Sequence, residues 1–87
     1  MASVEIYTAD YCPYCHRAKA LLRQKNVDFT EFDVTADRDG RAVMSQRAGG
    51  RTTVPQIFIN GQHVGGCDDL HELEDDGKLD ALLQAGA

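Results

Sequence analysis

The sequence has no long apolar run, no concentration of basic residues and few cysteines. No segment approaches the roughly 18 consecutive apolar residues of a membrane span, so we expect a soluble protein that does not bind membranes. The net charge is −5 and the basic residues are scattered, which disfavours nucleic acid as a partner. Three cysteines are an odd number, which does not suit a fully paired disulfide framework.

The first five residues contain neither a basic region nor a long apolar run. We therefore predict no signal peptide and a cytoplasmic protein, in which cysteines stay reduced unless they are catalytic. The chain has 87 residues, of which 43% are hydrophobic and 26% charged. This length predicts a single domain over residues 1–87, with one core of modest size.

Two cysteines, Cys12 and Cys15, are separated by two residues in the segment YCPYCH. This spacing alone fits a redox couple, half of a zinc site or a structural disulfide. A structural zinc site needs four ligands, and outside this pair the chain offers only Cys67 and three histidines in no paired spacing. A reduced compartment disfavours the structural disulfide. The redox couple is the favoured hypothesis, and we expect no metal site.

Apolar periodicity predicts the element order β-α-β-α-β-β-α, followed by one more helix. The expected elements are strands over 4–8 and 27–34, helices over 13–25 and 38–48, a hairpin of 53–59 with 62–65, a helix carrying Leu70 and Leu73, and a last helix carrying Leu79, Leu82 and Leu83. Asn26 is expected at the end of the first helix, Thr35 or Asp37 at the start of the second, and Asp68 and Asp69 at the start of the third.

These elements predict an α/β protein with a four-stranded mixed sheet flanked by helices. The first two strands are joined by a helix and are therefore expected to be parallel, with a right-handed crossover. Asn60-Gly61 between two apolar segments is a strong signal for an antiparallel hairpin. Five basic side chains of the first helix alternate with apolar ones, which favours a solvent-facing polar side over a docking patch. They are His16, Arg17, Lys19, Arg23 and Lys25.

Three motifs occur in a fixed order along the chain. They are Cys12-Pro13-Tyr14-Cys15 after the first strand, Thr53-Val54-Pro55 before the third, and Gly65-Gly66-Cys67-Asp68-Asp69 after the fourth. In this arrangement the chain resembles the dithiol glutaredoxins of bacteria over nearly its whole length. The resemblance implies a thioredoxin fold and a glutathione-dependent thiol–disulfide oxidoreductase, which reduces protein–glutathione mixed disulfides and protein disulfides.

Cys12 is the expected nucleophile, because unpaired N–H groups at the start of the helix would stabilise its thiolate. Cys15, one turn further on the apolar side, is expected to be less accessible and to resolve a mixed disulfide formed at Cys12. Cys67 is expected to be a small packed thiol rather than a third redox residue. His63 and His71 are interpreted as surface or edge residues.

The resemblance also implies a binding site for glutathione. Its expected residues are Tyr14, Arg41, Thr53, Val54, Pro55, Gly66, Cys67, Asp68 and Asp69. In this interpretation the Val54–Pro55 bond is cis, and the Val54 backbone pairs with the extended tripeptide. The start of the third helix offers N–H groups to the γ-glutamyl carboxylate, and Asp68 or Asp69 pairs with the γ-glutamyl ammonium group.

The loop before Cys12 departs from the family pattern. Where family members often carry a lysine, this chain has Ala9 followed by Asp10, whose charge would oppose thiolate formation. Arg41 or Arg51 could supply the cation for the glycyl carboxylate, and Arg41 is preferred.

No tightly bound cofactor is expected, and glutathione is the co-substrate. The expected partners are glutathione and glutathionylated or disulfide-containing proteins, with ribonucleotide reductase as a family expectation, and the protein is expected to be a monomer. One alternative is an iron–sulfur carrier, in which Cys12 thiolates of two subunits and two glutathiones hold the cluster. Pro13 disfavours this alternative by resemblance. The other alternative is an electron donor that thioredoxin reductase reduces.

Overall fold

The computed structural model describes residues 2–85, which form four strands and four helices in the predicted order. The elements are β1 (Val4–Thr8), α1 (Pro13–Gln24), β2 (Thr30–Asp33), α2 (Arg38–Arg47), β3 (Gln56–Ile59), β4 (Gln62–Gly65), α3 (Cys67–Asp75) and α4 (Leu79–Gln84). Within residues 2–85 no helix has the length and apolar character needed to cross a membrane.

The four strands form one mixed sheet in the order β2-β1-β3-β4. β1 and β2 are parallel, while β3 is antiparallel to both β1 and β4. Asn60 and Gly61 connect β3 to β4 with φ angles of 53° and 80°, the left-handed conformation that a two-residue hairpin requires. The predicted mixed sheet and its hairpin are therefore confirmed.

Helices cover both faces of the sheet. On one face Ile6 and Ile57 pack against apolar side chains of α1, α3 and α4, including Leu22 and Leu70. On the other face Tyr7 and Phe58 pack against Met44 of α2. The central strands therefore lie between two apolar layers, and the sheet is a rigid base for the loops at its ends.

The end of α1 explains why β2 is shorter than predicted. Asn26 has a φ angle of 58°, and its N–H group donates to the Arg23 carbonyl at 3.0 Å. The N–H group of Val27 donates to the Leu22 carbonyl at 3.4 Å, which completes a Schellman motif. The prediction for Asn26 is confirmed. The predicted strand 27–34 is wrong at its start, because Val27 terminates the helix and β2 begins at Thr30.

One other predicted boundary is also wrong. β3 begins at Gln56 rather than at residue 53, because Pro55 has no N–H group for the ladder. α3 begins at Cys67 with Gly66 at the N-cap position, and of the two predicted capping aspartates Asp69 is confirmed, because its carboxylate accepts the Gly66 N–H group in a capping box. At α2 the alternative of Asp37 is confirmed, since its carboxylate accepts the N–H group of Gly40 at 2.9 Å.

Two lysines of α1 differ from the predicted solvent-facing pattern. The Lys19 side chain is 12% exposed and contacts Glu31 of β2 at 2.9 Å. The Lys25 ammonium group lies 2.7 Å from Glu74 of α3 and 2.9 Å from Asp80 of α4. The prediction that all five basic side chains face solvent is therefore wrong for these two, because each packs against acidic residues of other elements instead of extending into solvent.

We predict that Met44→Ala destabilises the fold by about 2–5 kcal/mol, the usual range when a buried methionine is truncated to alanine. Met44 is 0% exposed and is the buried residue through which α2 packs on the sheet. The neighbouring Val43 is 50% exposed, so Val43→Ala should change stability by less than about 0.5 kcal/mol. Urea unfolding followed by circular dichroism measures both, and equal effects would contradict this role for Met44.

Candidate active site

Cys12 lies where the loop after β1 meets α1. It is the N-cap residue of the helix, with φ −103° and ψ 107°, and Pro13 is the first helical residue. Its sulfur accepts a hydrogen bond from the Cys15 N–H group at 3.2 Å. Its S–H group donates to the Val54 carbonyl at 3.5 Å. In most helices a side-chain oxygen of the N-cap residue accepts an N–H group of the first turn, and here the Cys12 sulfur takes its place. The sulfur thus lies at the positive end of the helix dipole.

Cys15 is more deeply buried than Cys12. Cys15 is 0% exposed and Cys12 is 7% exposed. Burial raises the pKa of the Cys15 thiol far above its ordinary value, and the hydrogen bond with Cys12 raises it further. Cys15 is therefore a protonated thiol at neutral pH, and the partly accessible Cys12 is the cysteine that an external disulfide can reach.

The residues before Cys12 form an apolar support for the pair. Ala9 is buried and packs against both cysteines, together with Val54. The N–H group of Asp10 donates to Thr35 Oγ1 at 2.9 Å, which fixes this loop to the segment after β2. Asp10 itself is exposed. The departure from the family pattern at position 9 thus places a small apolar side chain under the cysteines.

A groove of about 150 Å³ lies beside the Val54 carbonyl that Cys12 contacts. It is lined by Tyr14, Arg51, Thr53, Val54, Pro55, Gly66, Cys67, Asp68 and Asp69. The structure thus brings together the predicted glutathione residues with one exception, Arg41. Arg51, the less favoured alternative for the cation, is in the groove lining.

Arg41 lies outside the groove lining, on the side of Cys12 where Tyr11 is located. Its Nη2 group donates to the Tyr11 hydroxyl at 2.6 Å, and its Nε group donates to the Val34 carbonyl at 3.2 Å. Tyr11 is 65% exposed. Arg41 therefore provides a positive charge beside Tyr11, the residue that precedes Cys12, rather than within the groove.

Asp69 organises the other end of the groove, at the start of α3. Its carboxylate accepts the Gly66 N–H group at 2.8 Å and lies 3.2 Å from Nη1 of Arg51. The Gly66 N–H group, and after it Arg51, lowers the pKa of Asp69 below its usual range. Gly65 has a φ angle of 123°, and a Cβ atom there would collide with this carboxylate. Glycine at position 65 is thus required for the cap.

The loop over 53–55 is fixed from beneath by a hydrogen-bond network that the sequence did not reveal. The Val54–Pro55 bond is cis, as the resemblance implies. Gln56 is fully buried, and its amide nitrogen donates to the carbonyl of Thr53 at 3.0 Å and to its hydroxyl at 3.3 Å. The Gln56 amide oxygen therefore faces His63 Nε2 at 2.7 Å. Burial lowers the pKa of His63, so the neutral ring donates this bond.

Cys67 is the third cysteine and lies at the start of α3. It is buried, packs in the core with Leu70 and also lines the groove. Burial raises the pKa of its thiol, so it is a protonated, packed side chain at neutral pH. Within residues 2–85 no group of three or more His, Cys, Asp or Glu side chains is arranged to hold a metal ion.

Comparison with known proteins shows clear relatives. The glutaredoxin family matches residues 4–64. Glutaredoxin 3 of Escherichia coli is 58% identical over 84 residues, which cover 97% of this chain and 100% of that protein. The solution structure of glutaredoxin from Brucella melitensis superposes with a TM-score of 0.84 at 58% identity, over 97% of this chain and 90% of the other.

A more distantly related structure is that of a complex with glutathione. The crystal structure of a buckwheat glutaredoxin–glutathione complex has a TM-score of 0.85 at 35% identity, covering 94% of this chain and 76% of that chain. These matches confirm the thioredoxin fold. With a matching family, close relatives and two adjacent cysteines at a helix N-terminus, the chain belongs to the glutaredoxin family and is a glutathione-dependent thiol–disulfide oxidoreductase of the dithiol type.

Proposed function

We propose that Cys12 is the nucleophile that takes glutathione from a glutathionylated protein, and that Cys15 is the resolving cysteine. The observation that carries this proposal is the position of the Cys12 sulfur at the N-cap of α1, 3.5 Å from a carbonyl of the groove. Cys15 lies one turn behind it and is fully buried. Only one cysteine can therefore meet the substrate, and the other reacts within the protein.

The chemistry follows as a series of thiol–disulfide exchanges. The Cys12 thiolate attacks the glutathione sulfur of a protein–glutathione disulfide, and the client protein leaves as a thiol. A second glutathione then attacks the Cys12–glutathione disulfide, which releases glutathione disulfide and free Cys12. For a client with an internal disulfide, Cys15 attacks the mixed disulfide at Cys12, and two glutathiones later reduce the Cys12–Cys15 disulfide.

The groove offers complementary groups for most of glutathione. The backbone of Val54 would pair with the cysteinyl residue, which places the glutathione sulfur beside Cys12. The start of α3 has N–H groups that lack helical partners and can bind the γ-glutamyl carboxylate. Asp69 is already engaged with Gly66 and Arg51, so we assign the γ-glutamyl ammonium group to Asp68.

This orientation also defines the position of the glycyl end. Arg51 contacts Asp69 at the α3 end of the groove, where the γ-glutamyl group is placed. The glycyl carboxylate then lies at the opposite end, towards Tyr11 and Arg41. Arg41 is consequently the proposed cation for this carboxylate, although it does not line the groove itself.

We further propose glutathionylated and disulfide-containing proteins as clients, without a tightly bound cofactor. Ribonucleotide reductase as a client, the cytoplasmic location, the single domain over 1–87 and the monomeric state stay predictions. The iron–sulfur carrier and the donor reduced by thioredoxin reductase also stay predictions, and no observation favours either over the dithiol reaction.

The first prediction concerns the two cysteines. Cys12→Ser should abolish the reduction of a glutathionylated peptide, because the accessible sulfur is lost. Cys15→Ser should retain that reaction and lose the reduction of a protein with an internal disulfide. Both activities are measured with glutathione and glutathione reductase as the coupled system. An active Cys12→Ser variant together with an inactive Cys15→Ser variant would reverse the assignment.

The second prediction concerns the glycyl end. Arg41→Ala should raise the KM for glutathione about tenfold and leave kcat nearly unchanged, since a hydrogen bond to a charged group contributes about 1.5 kcal/mol. Arg23→Ala is the control, because it removes the same charge from an exposed position near the far end of α1. Equal KM values for the two variants would show that Arg41 does not bind glutathione.

The third prediction concerns the network under Thr53. Gln56→Met keeps the side-chain volume but removes the hydrogen bonds that fix the Thr53 carbonyl and hydroxyl. We expect a KM for glutathione about threefold to tenfold higher with little change in kcat, which corresponds to about 1 kcal/mol for the two lost bonds together. Gln62→Met, on an exposed residue of β4, is the matched control. A lower kcat with unchanged KM would refute this role.

A further inference from the structure

An ion pair between a largely buried lysine and a more exposed glutamate joins α1 to β2. The ammonium group of Lys19 is 2.9 Å from Oε2 of Glu31, and the Thr8 hydroxyl donates to the same oxygen at 2.6 Å. Thr8 is buried, and the Lys19 side chain is 12% exposed. The hydrogen bond from Thr8 holds the carboxylate in place, and the carboxylate in turn fixes the charge of Lys19.

This fixed charge is next to the resolving cysteine. Lys19 follows Cys15 by four residues on α1, and such side chains have Cβ atoms about 5–6 Å apart. Helical side chains lean towards the N-terminus, so Lys19 lies over the turn that contains Cys15. Thr8 shares its side of β1 with Ile6, which packs against α1, and it is the last strand residue before the active-site loop. The ion pair is therefore beneath the first turns of α1.

A positive charge near Cys15 would favour the resolving step, because Cys15 has to lose its proton in that step. Cys15 attacks Cys12 of the glutathionylated enzyme, so a Cys12–Cys15 bond forms and the Cys12–glutathione bond breaks. Cys15 gives up its proton, and the departing glutathione thiolate takes one up from solvent. Burial opposes the ionisation of Cys15, whereas a cation nearby favours it.

We propose that Lys19 is a positioning residue for the resolving step, held by Glu31 and Thr8 so that its charge stabilises the Cys15 thiolate as it forms. The proposal rests on the resolving role of Cys15 given above. The titratable groups around Cys15 are Cys12 and Lys19 on α1, Glu31 behind Lys19 on β2, and Cys67 of α3, which is close to Cys12.

The direction in which Lys19 acts on Cys15 agrees with this role. Burial and, after it, the hydrogen bond with Cys12 raise the pKa of Cys15, while a backbone hydrogen bond with Ala9 and, as the smallest of these effects, the charge of Lys19 lower it. Glu31→Gln keeps an oxygen that can accept from Lys19 and Thr8, so Lys19 stays in place while the negative charge that partly neutralises it is removed. The two members of the ion pair should therefore affect Cys15 in opposite directions. A purely structural ion pair would instead make both substitutions act in the same direction, by weakening the contact between α1 and β2.

The experiment compares the direction in which the two substitutions change the rate of the resolving step. Reduced full-length protein is mixed with glutathione disulfide at pH 7, quenched with acid at successive times, and the glutathionylated and internally oxidised forms are separated by mass. Lys19→Gln should slow the conversion of the first form into the second, and Glu31→Gln should accelerate it. When the Cys15 pKa falls by one unit, the thiolate fraction rises about tenfold, but each thiolate becomes about threefold less nucleophilic. The rate of the resolving step therefore changes about threefold for each unit of change in the Cys15 pKa. Lys19→Arg should behave like the parent protein.

The first exchange, at Cys12, should have the same rate in all of these proteins.

Two results would overturn the proposal: both substitutions slowing the resolving step alike, or neither changing it. Thermal unfolding of each variant shows whether a slow rate comes with a weakened fold. If the parent protein forms no glutathionylated Cys12, the proposed function itself fails. If glutathionylated Cys12 forms in the parent protein but all variants convert it at the same rate, only the role of Lys19 fails.

Discussion

The hydrogen bond from the Cys15 N–H group to the Cys12 sulfur is the contact on which the rest of the site depends. It is possible because Cys12 is the N-cap of α1 and Pro13 follows with no N–H group of its own to satisfy. The same helix start turns Cys15 towards the core, where Ala9 and Val54 cover the pair. One local arrangement of the backbone therefore makes the two cysteines unequal.

The features that could be predicted from the sequence are those set by neighbouring residues. The turn at Asn60-Gly61, the end of α1 at Asn26 and the start of α2 at Asp37 each depend on a short segment whose residue types allow few other conformations. The Cys12 and Cys15 spacing is of the same kind. The grouping of the groove residues came from the resemblance, since three segments distant in the sequence form that groove.

What could not be predicted depends on contacts between distant elements. Lys19 fits the polar pattern of α1. Its side chain packs against β2 instead of extending into solvent because Glu31 lies there. Gln56 fits a strand pattern, and its burial beneath Thr53 depends on the loop before β3 and on His63 from β4. Likewise Arg51 lines the groove whereas Arg41 lies outside it, against Tyr11, and the spacing of residues in the chain does not contain that information.

The burial of Cys15 has two opposite consequences for a dithiol mechanism. In the proposed mechanism it shields the thiol from external disulfides, so that Cys12 meets the client first, but it also disfavours the thiolate on which the resolving step depends. A fully exposed cation would be screened by solvent and would help little. A cation in the half-buried position of Lys19 is screened less, and its pairing with Glu31 limits the cost of removing it from water. Under the role proposed for Lys19, its position is thus what allows Cys15 to be protected and still reactive.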